Sequence, residues 1–282
     1  MHIAIHRVPN QQKQHGAALT TAYREVPARR QNANPPLLLV HGYTGSSLDF
    51  HNQLPWFAEH RRVIAPDQRG HGDSTNSAPY TLRQLRDDLL GFMDALGLEH
   101  CDLLGHSMGG MVALHTVLKD VQRFRSLILM DTSAQPIATM KKNIADQLAN
   151  TVTQQGCAAL VSMMRGVPLS SPVKRAIEFL GEAEHWRRIQ LKLEQMDPEA
   201  FVAIGQAMRN HQISDEQLAQ ITCPTTVVVG ADDKPFRKPS QHLAQTIPHA
   251  KLSVIADAAH SPQYENSEHW QHAIDNHLAE LG

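Results

Sequence analysis

The sequence predicts an α/β fold with a mostly parallel sheet flanked by helices and one inserted helical region. Three observations lead there. Short apolar runs of buried-strand type recur along the chain as "PPLLLVHG", "RRVIAPD", "CDLLG", "SLILMD", "TTVVVG" and "AKLSVIAD". Between most of them lie helical patterns, and strands alternating with helices make βαβ units and a parallel sheet. From about residue 135 to residue 221 the alternation stops, and helical patterns follow one another with no convincing strand. A chain of 282 residues has room for one large α/β domain carrying such an insertion.

In chain order, "HIAIHRV" and "AALTTAYREV" are expected as two N-terminal strands. "PPLLLVHG" and "RRVIAPD" are continuous apolar runs, as strands buried on both faces require. "TLRQLRDDLLGFMDALG" places Leu82, Leu85, Leu89, Leu90 and Phe92 on or near one helical face, with Thr81 to cap it and Gly97 to end it. "CDLLG" runs directly into the helical pattern "MGGMVALHTVLKD", and "SLILMD" follows. The inserted region contains "KKNIADQLANTVTQQ" and "SPVKRAIEFLGEAEHWRRIQLKLEQ". It also contains Met140, Met163, Met164, Met196 and Met208, half of the chain's 10 methionines. Methionine packs irregular helical layers and suits an adaptable apolar pocket wall. The expected organisation is a core of residues 1–134 and 222–282, with residues 135–221 as a helical cap or lid.

Composition narrows the function classes. A net charge of -2 gives no strong field of either sign, so neither nucleic acid nor an anionic membrane is an expected partner. The first residues show no basic segment followed by an apolar core, and no run approaches the ~18 apolar residues of a membrane span. Cys101, Cys157 and Cys223 are scattered and form no C-x-x-C, the pattern of reduced core thiols in a cytoplasmic protein. Of the 18 histidines, His269 and His272 share one helical face but lack the acidic or thiol companions of a zinc site. No metal and no organic cofactor is expected.

The stretch "DLLGHSMGGMVAL" sets Ser107 between Gly105 and Gly109, after a strand and before a helix. G-x-S-x-G in that setting holds a serine on a sharp, strained turn above the C-terminal edge of the sheet. The glycines matter because side chains there would collide with the crowded strand and helix. A serine hydroxyl needs a general base that is itself oriented by an acid. Downstream, "TTVVVGADDKP" ends a strand at Asp232 and Asp233, and "AKLSVIADAAHSP" puts His260 in the loop after the next strand.

Taken together, "HGYTGSS", "DQRGHGDS", "GHSMGG", "GADD" and "DAAHSP" resemble, in order, five motifs of the α/β-hydrolase superfamily. The resemblance spans nearly the whole chain. It implies Ser107 as nucleophile and His260 as general base and then acid. Asp233, three residues after Gly230, matches the family's acid; Asp232 beside it and Asp131 at the end of "SLILMD" compete for that role. It also implies an oxyanion hole from the backbone N–H groups of Tyr43 and Met108. His41, His71 and His106 read as packing or turn residues, and Arg69 and Asp73 as ties between loops.

The implied reaction is acyl transfer to water on a small-molecule ester, with no cofactor. Serine at the nucleophile position argues against haloalkane dehalogenases and epoxide hydrolases, which use aspartate there. Carbon–carbon bond hydrolases usually show asparagine before the nucleophile and tryptophan after the histidine; here those places hold His106 and Ser261. The menaquinone-pathway synthase usually carries arginine where this chain has Met111. The same triad also suits lactonases and cofactor-free perhydrolases, and a ligand-binding signalling protein on this fold is the non-enzymatic reading. The oligomeric state is not read from the sequence.

Overall fold

The computed structural model describes residues 3–10, 19–30, 34–136 and 142–281. Its centre is an eight-stranded sheet in the order β1-β2-β4-β3-β5-β6-β7-β8. The strands are β1 (Ile5–Pro9), β2 (Thr20–Val26), β3 (Leu37–Val40), β4 (Val63–Pro66), β5 (Cys101–His106), β6 (Phe124–Met130), β7 (Thr225–Gly230) and β8 (Lys251–Ile255). β2 pairs antiparallel with both β1 and β4, and the remaining pairs run parallel. Every residue of β3 to β7 except Arg125 is buried, so these strands read as unbroken apolar runs rather than alternating ones. β8 lies at the edge and exposes Leu252 and Val254.

Twelve helices accompany the sheet among the described residues. They are α1 (Leu54–Phe57), α2 (Leu82–Ala95), α3 (Met108–Lys119), α4 (Lys142–Gln155), α5 (Ala159–Arg165), α6 (Ser171–Leu180), α7 (Glu182–Glu194), α8 (Pro198–Arg209), α9 (Asp215–Leu218), α10 (Lys234–Thr246), α11 (Pro262–Glu265) and α12 (Ser267–Ala279). On α2 the Thr81 hydroxyl accepts from the Gln84 N–H, satisfying one of the helix's free donors, and Gly97 turns the chain out at φ 65°. Leu82, Leu85, Leu89 and Phe92 are buried and Leu90 is partly buried against the same cluster. Two apolar clusters cover the two faces of the sheet, one led by Phe92 and Leu114, the other by Phe50 and Trp270.

α4 to α9 fill the stretch between β6 and β7, and no strand interrupts them among the described residues. Their own apolar cluster gathers Val152, Leu160, Val161, Leu193 and Phe201. The stretch "SPVKRAIEFLGEAEHWRRIQLKLEQ" forms two helices rather than one, because Gly181 sits at φ 81° between α6 and α7. The methionines divide: Met196 is buried, Met208 is partly buried, and Met163 and Met164 are exposed. Met140 lies outside the described residues. Cys101, Cys157 and Cys223 are buried free thiols. No described helix is long and apolar enough to cross a membrane.

Candidate active site

The site stands at the C-terminal ends of β5, β6 and β7, where open parallel sheets present their loops. Ser107 links β5 to α3 at φ 54° and ψ -117°, a strained conformation for a residue with a side chain. Its N–H donates to the Met130 carbonyl at 2.8 Å, which ties the turn to β6. The flanking glycines are required by space. A Cβ on Gly105 would lie 2.4 Å from the Gly109 carbonyl oxygen, and one on Gly109 would lie 2.3 Å from the Val40 carbonyl oxygen.

His260 reaches Ser107 from the loop after β8, with Nε2 2.9 Å from Oγ. Its Nδ1 lies 2.7 Å from Asp233 Oδ2. A carboxylate there can only accept, so Nδ1 carries the proton and Nε2 is left to accept from the serine hydroxyl. Asp233 is buried, whereas the Asp232 side chain is 53% exposed and pairs with Arg175 at 3.1 Å, outside this chain of bonds. Asp131 is buried nearby. One of its oxygens, one Asp233 oxygen and a His260 ring nitrogen all lie within 4.8 Å of one another. These are donor types that metals accept, but the imidazole and the Asp233 carboxylate already satisfy each other.

Gly42, in the loop after β3, abuts the serine: a Cβ there would lie 3.1 Å from Ser107 Cβ. Tyr43 follows it, and its hydroxyl donates to the Phe201 carbonyl at 2.5 Å, anchoring the loop to α8. Met108 is the first residue of α3, so its N–H has no acceptor within the helix and faces the turn at the helix's positive end.

The neighbouring histidines hold loops. His41 Nδ1 donates to the Gly42 carbonyl at 2.8 Å and its Nε2 accepts from the Gln68 N–H at 2.9 Å. Burial lowers its pKa to about 4. His71 contacts the Arg69 carbonyl at 3.1 Å, and burial with the adjoining His41 lowers it to about 3. His106 Nε2 donates to the His260 carbonyl at 2.7 Å, and burial, followed by the adjoining His260 imidazole, lowers its pKa to about 3. Arg69 forks onto Asp88 with two bonds of 2.6 Å, and Asp73 pairs with Arg7 at 3.1 Å.

Ser107 and His260 open into a cavity of about 600 Å³. Its core side carries Tyr43, His106 and Tyr264, and its other wall comes from the insertion through Met164, Leu169, Trp186 and Ile189. Both lining cations are already paired. Arg188 meets Glu184 at 2.7 Å, and Lys192 meets Asp49 at 2.5 Å. A second cavity, beside Asp88 and Phe92, is about 30 Å³ and has space for water only.

This geometry agrees with a direct comparison: the model of the alpha/beta hydrolase fold family matches residues 35–267. The chain belongs to the α/β-hydrolase family. Among α/β hydrolases, it is 28% identical to a 2-hydroxymuconate semialdehyde hydrolase of Pseudomonas putida over 96% of this chain and 97% of that one. It is 26% identical to a protein of Stutzerimonas stutzeri provisionally named carbamate hydrolase RutD, over 91% and 96% of the two chains. The solved structure of a thermophilic esterase from Thermogutta terrifontis superposes with a TM-score of 0.81 at 28% identity, covering 99% of each chain. These hydrolases carry three different substrate names, so membership establishes hydrolase chemistry and not the scissile bond.

Sequence reasoning missed the Tyr43 hydroxyl bond to α8 and the Lys192–Asp49 pair. Both join residues more than a hundred positions apart, and no local pattern signals them.

Proposed function

We propose that this protein is a serine hydrolase that cleaves neutral carboxylic esters of small to medium acyl groups. The observation that carries the reading is the unbroken chain from Ser107 Oγ to His260 Nε2 and from His260 Nδ1 to Asp233 Oδ2, at 2.9 and 2.7 Å, opening into the large cavity. Ser107 attacks the ester carbonyl while His260 takes its proton, and Asp233 holds the imidazole in the tautomer that can do so. The N–H groups of Tyr43 and Met108 receive the negative oxygen. His260 then hands its proton to the leaving alcohol, and water, deprotonated by the same nitrogen, releases the acyl group. Residues 135–221 act as a cap that supplies the apolar wall around the acyl chain.

Neutrality of the substrate is supported by the pairing of Arg188 and Lys192, which leaves neither cation unclaimed for a carboxylate. Carbon–carbon cleavage is the second reading, and the Pseudomonas putida relative, named for 2-hydroxymuconate semialdehyde, supplies its test substrate. Kinetics on a p-nitrophenyl ester series and on 2-hydroxymuconate semialdehyde decide between them. The ester reading expects turnover of neutral short and medium esters. Turnover of the semialdehyde alone supports the second reading, and no turnover of either overturns both.

A further inference from the structure

The acid side of the site is built from two carboxyl groups. Asp131 follows β6 at φ 45°, a strained left-handed conformation that persists only where its surroundings hold it. It is fully buried, and its Oδ1 accepts from the Gly230 N–H at 2.9 Å. Its Oδ2 is also buried and meets no conventional donor among the described residues. The cluster that holds it within 4.8 Å contains one Asp233 oxygen and one His260 nitrogen.

Two bare carboxylates cannot share so small a buried space, because each raises the cost of charging the other. The titratable groups that face Asp131 are Asp233 from the turn after β7, His260 from the loop after β8, and Glu265 from α11. Both acids add negative charge. Asp233 already accepts from His260, whereas Asp131 Oδ2 has no donor among the described residues, so Asp131 is the acid that gives up its charge. Burial first, and then Asp233, push the Asp131 carboxyl well above the usual carboxylate range.

We propose that Asp131 is a positioning residue: as a neutral carboxylic acid it donates a hydrogen bond from Oδ2 to Asp233, holding that carboxylate against His260. A carboxylate oxygen with no donor would be costly to bury, whereas a carboxylic acid makes the same atom a donor aimed at an anion. The proton stays on Asp131 throughout. The bond fixes the Asp233 rotamer and draws off part of its charge, which tempers the basicity of His260. The effect on turnover rests on the serine hydrolase reading; the protonation of Asp131 does not.

The test compares the full-length wild type with Asp131→Asn, which cannot ionise, and with Asp131→Ala, which has no donor. A carboxyl raised in the folded state contributes stability that is present below its unfolded pKa of about 3.9 and is lost as pH rises through the folded value. The Tm of Asp131→Asn relative to wild type should therefore climb between pH 4 and pH 8, on the order of a few degrees. Infrared difference spectra at neutral pH should show a protonated carboxylic acid band in wild type that Asp131→Asn lacks. In turnover, Asp131→Ala should lose kcat about tenfold at unchanged KM and move the acidic limb of kcat/KM upward, and Asp131→Asn should restore most of both. A Tm difference that is flat or falls with pH, together with no acid band, overturns the proposal whether or not esters are cleaved. Equal losses in Asp131→Asn and Asp131→Ala overturn the positioning role.

Discussion

Strand β5 begins and ends beside buried acids, and the two ends treat them in opposite ways. At its start, Asp102 is fully buried and meets cations on two sides. Arg61 lies at 2.6 Å, Arg125 makes bonds of 3.0 and 2.6 Å, and the Ser126 hydroxyl donates at 2.7 Å. At its end, beyond Ser107, Asp131 and Asp233 lie together with no arginine or lysine bonded to either carboxyl among the described residues. Guanidinium groups around Asp102 neutralise it and lock the bottom of the sheet. At the top, Asp233 meets an imidazole that can take up and release a proton, and Asp131 accepts from the Gly230 backbone N–H. The difference teaches where the fold keeps stability and where it keeps chemistry.

The largest effects should come from the top of the strand and should leave the fold intact. Ser107→Ala, His260→Ala and Asp233→Asn are each expected to lower kcat on an ester by about 10⁴-fold, with Tm close to wild type. Steady-state kinetics beside thermal melts read both. A large loss from Asp232→Asn in place of Asp233→Asn would contradict the assignment of the acid.

The opposite pattern is expected at the bottom. Asp102→Ala leaves Arg61 and Arg125 facing each other without their shared acid, and removing one partner of a buried ionic cluster costs about 3–5 kcal/mol. Chemical denaturation should show that loss, while activity per folded molecule stays near wild type. If stability falls little and kcat falls much, the contrast between the two ends is wrong.

A smaller effect separates the histidines that hold loops from the one proposed as the general base. His41 and His71 are buried and neutral, with pKa lowered by burial to about 4 and about 3. The unfolded chain therefore binds more protons below pH 6.5 than the native one does. The stability they contribute is full above the unfolded pKa and drains as pH falls toward those lowered values. For His41 the loss amounts to roughly 3 kcal/mol across that window. Melts of wild type and His41→Gln from pH 7 to pH 4 should give a shallower slope in the variant.

The smallest effect belongs to the insertion. Trp186 lines the cavity, and the Arg165 guanidinium sits 4.8 Å above its ring. Trp186→Ala should raise KM for medium-chain esters about tenfold and change kcat little, because it removes apolar binding surface and no reacting group. An equal fall in kcat would mean that the insertion shapes the reacting geometry as well.

Much of this was legible in the sequence where the signal is local. All eight strands were marked by apolar or alternating runs, and Thr81 and Gly97 bounded α2 as capping chemistry requires. The glycines around Ser107 announced a crowded turn, and the three groups of the hydrogen-bonded chain came in the expected order. Between Asp232 and Asp233 the sequence could only lean. What separates them is the direction in which the turn after β7 points each side chain, one toward Arg175 and the other toward His260. The pairing of Asp131 with Asp233 was illegible, because it depends on how far apart two adjacent strand ends finish. Met163 and Met164 were expected within a packed helical layer or an apolar pocket wall; both are exposed because α5 packs by Leu160 and Val161, and Met164 lines the cavity.

The central claim is that Ser107 is the nucleophile and that His260 activates it. Intact-mass and peptide mapping after reaction with a fluorophosphonate test it most directly. A single adduct on Ser107, absent in Ser107→Ala and formed far more slowly in His260→Ala, is the predicted result. An adduct on another residue, or no adduct on well-folded protein, would contradict it.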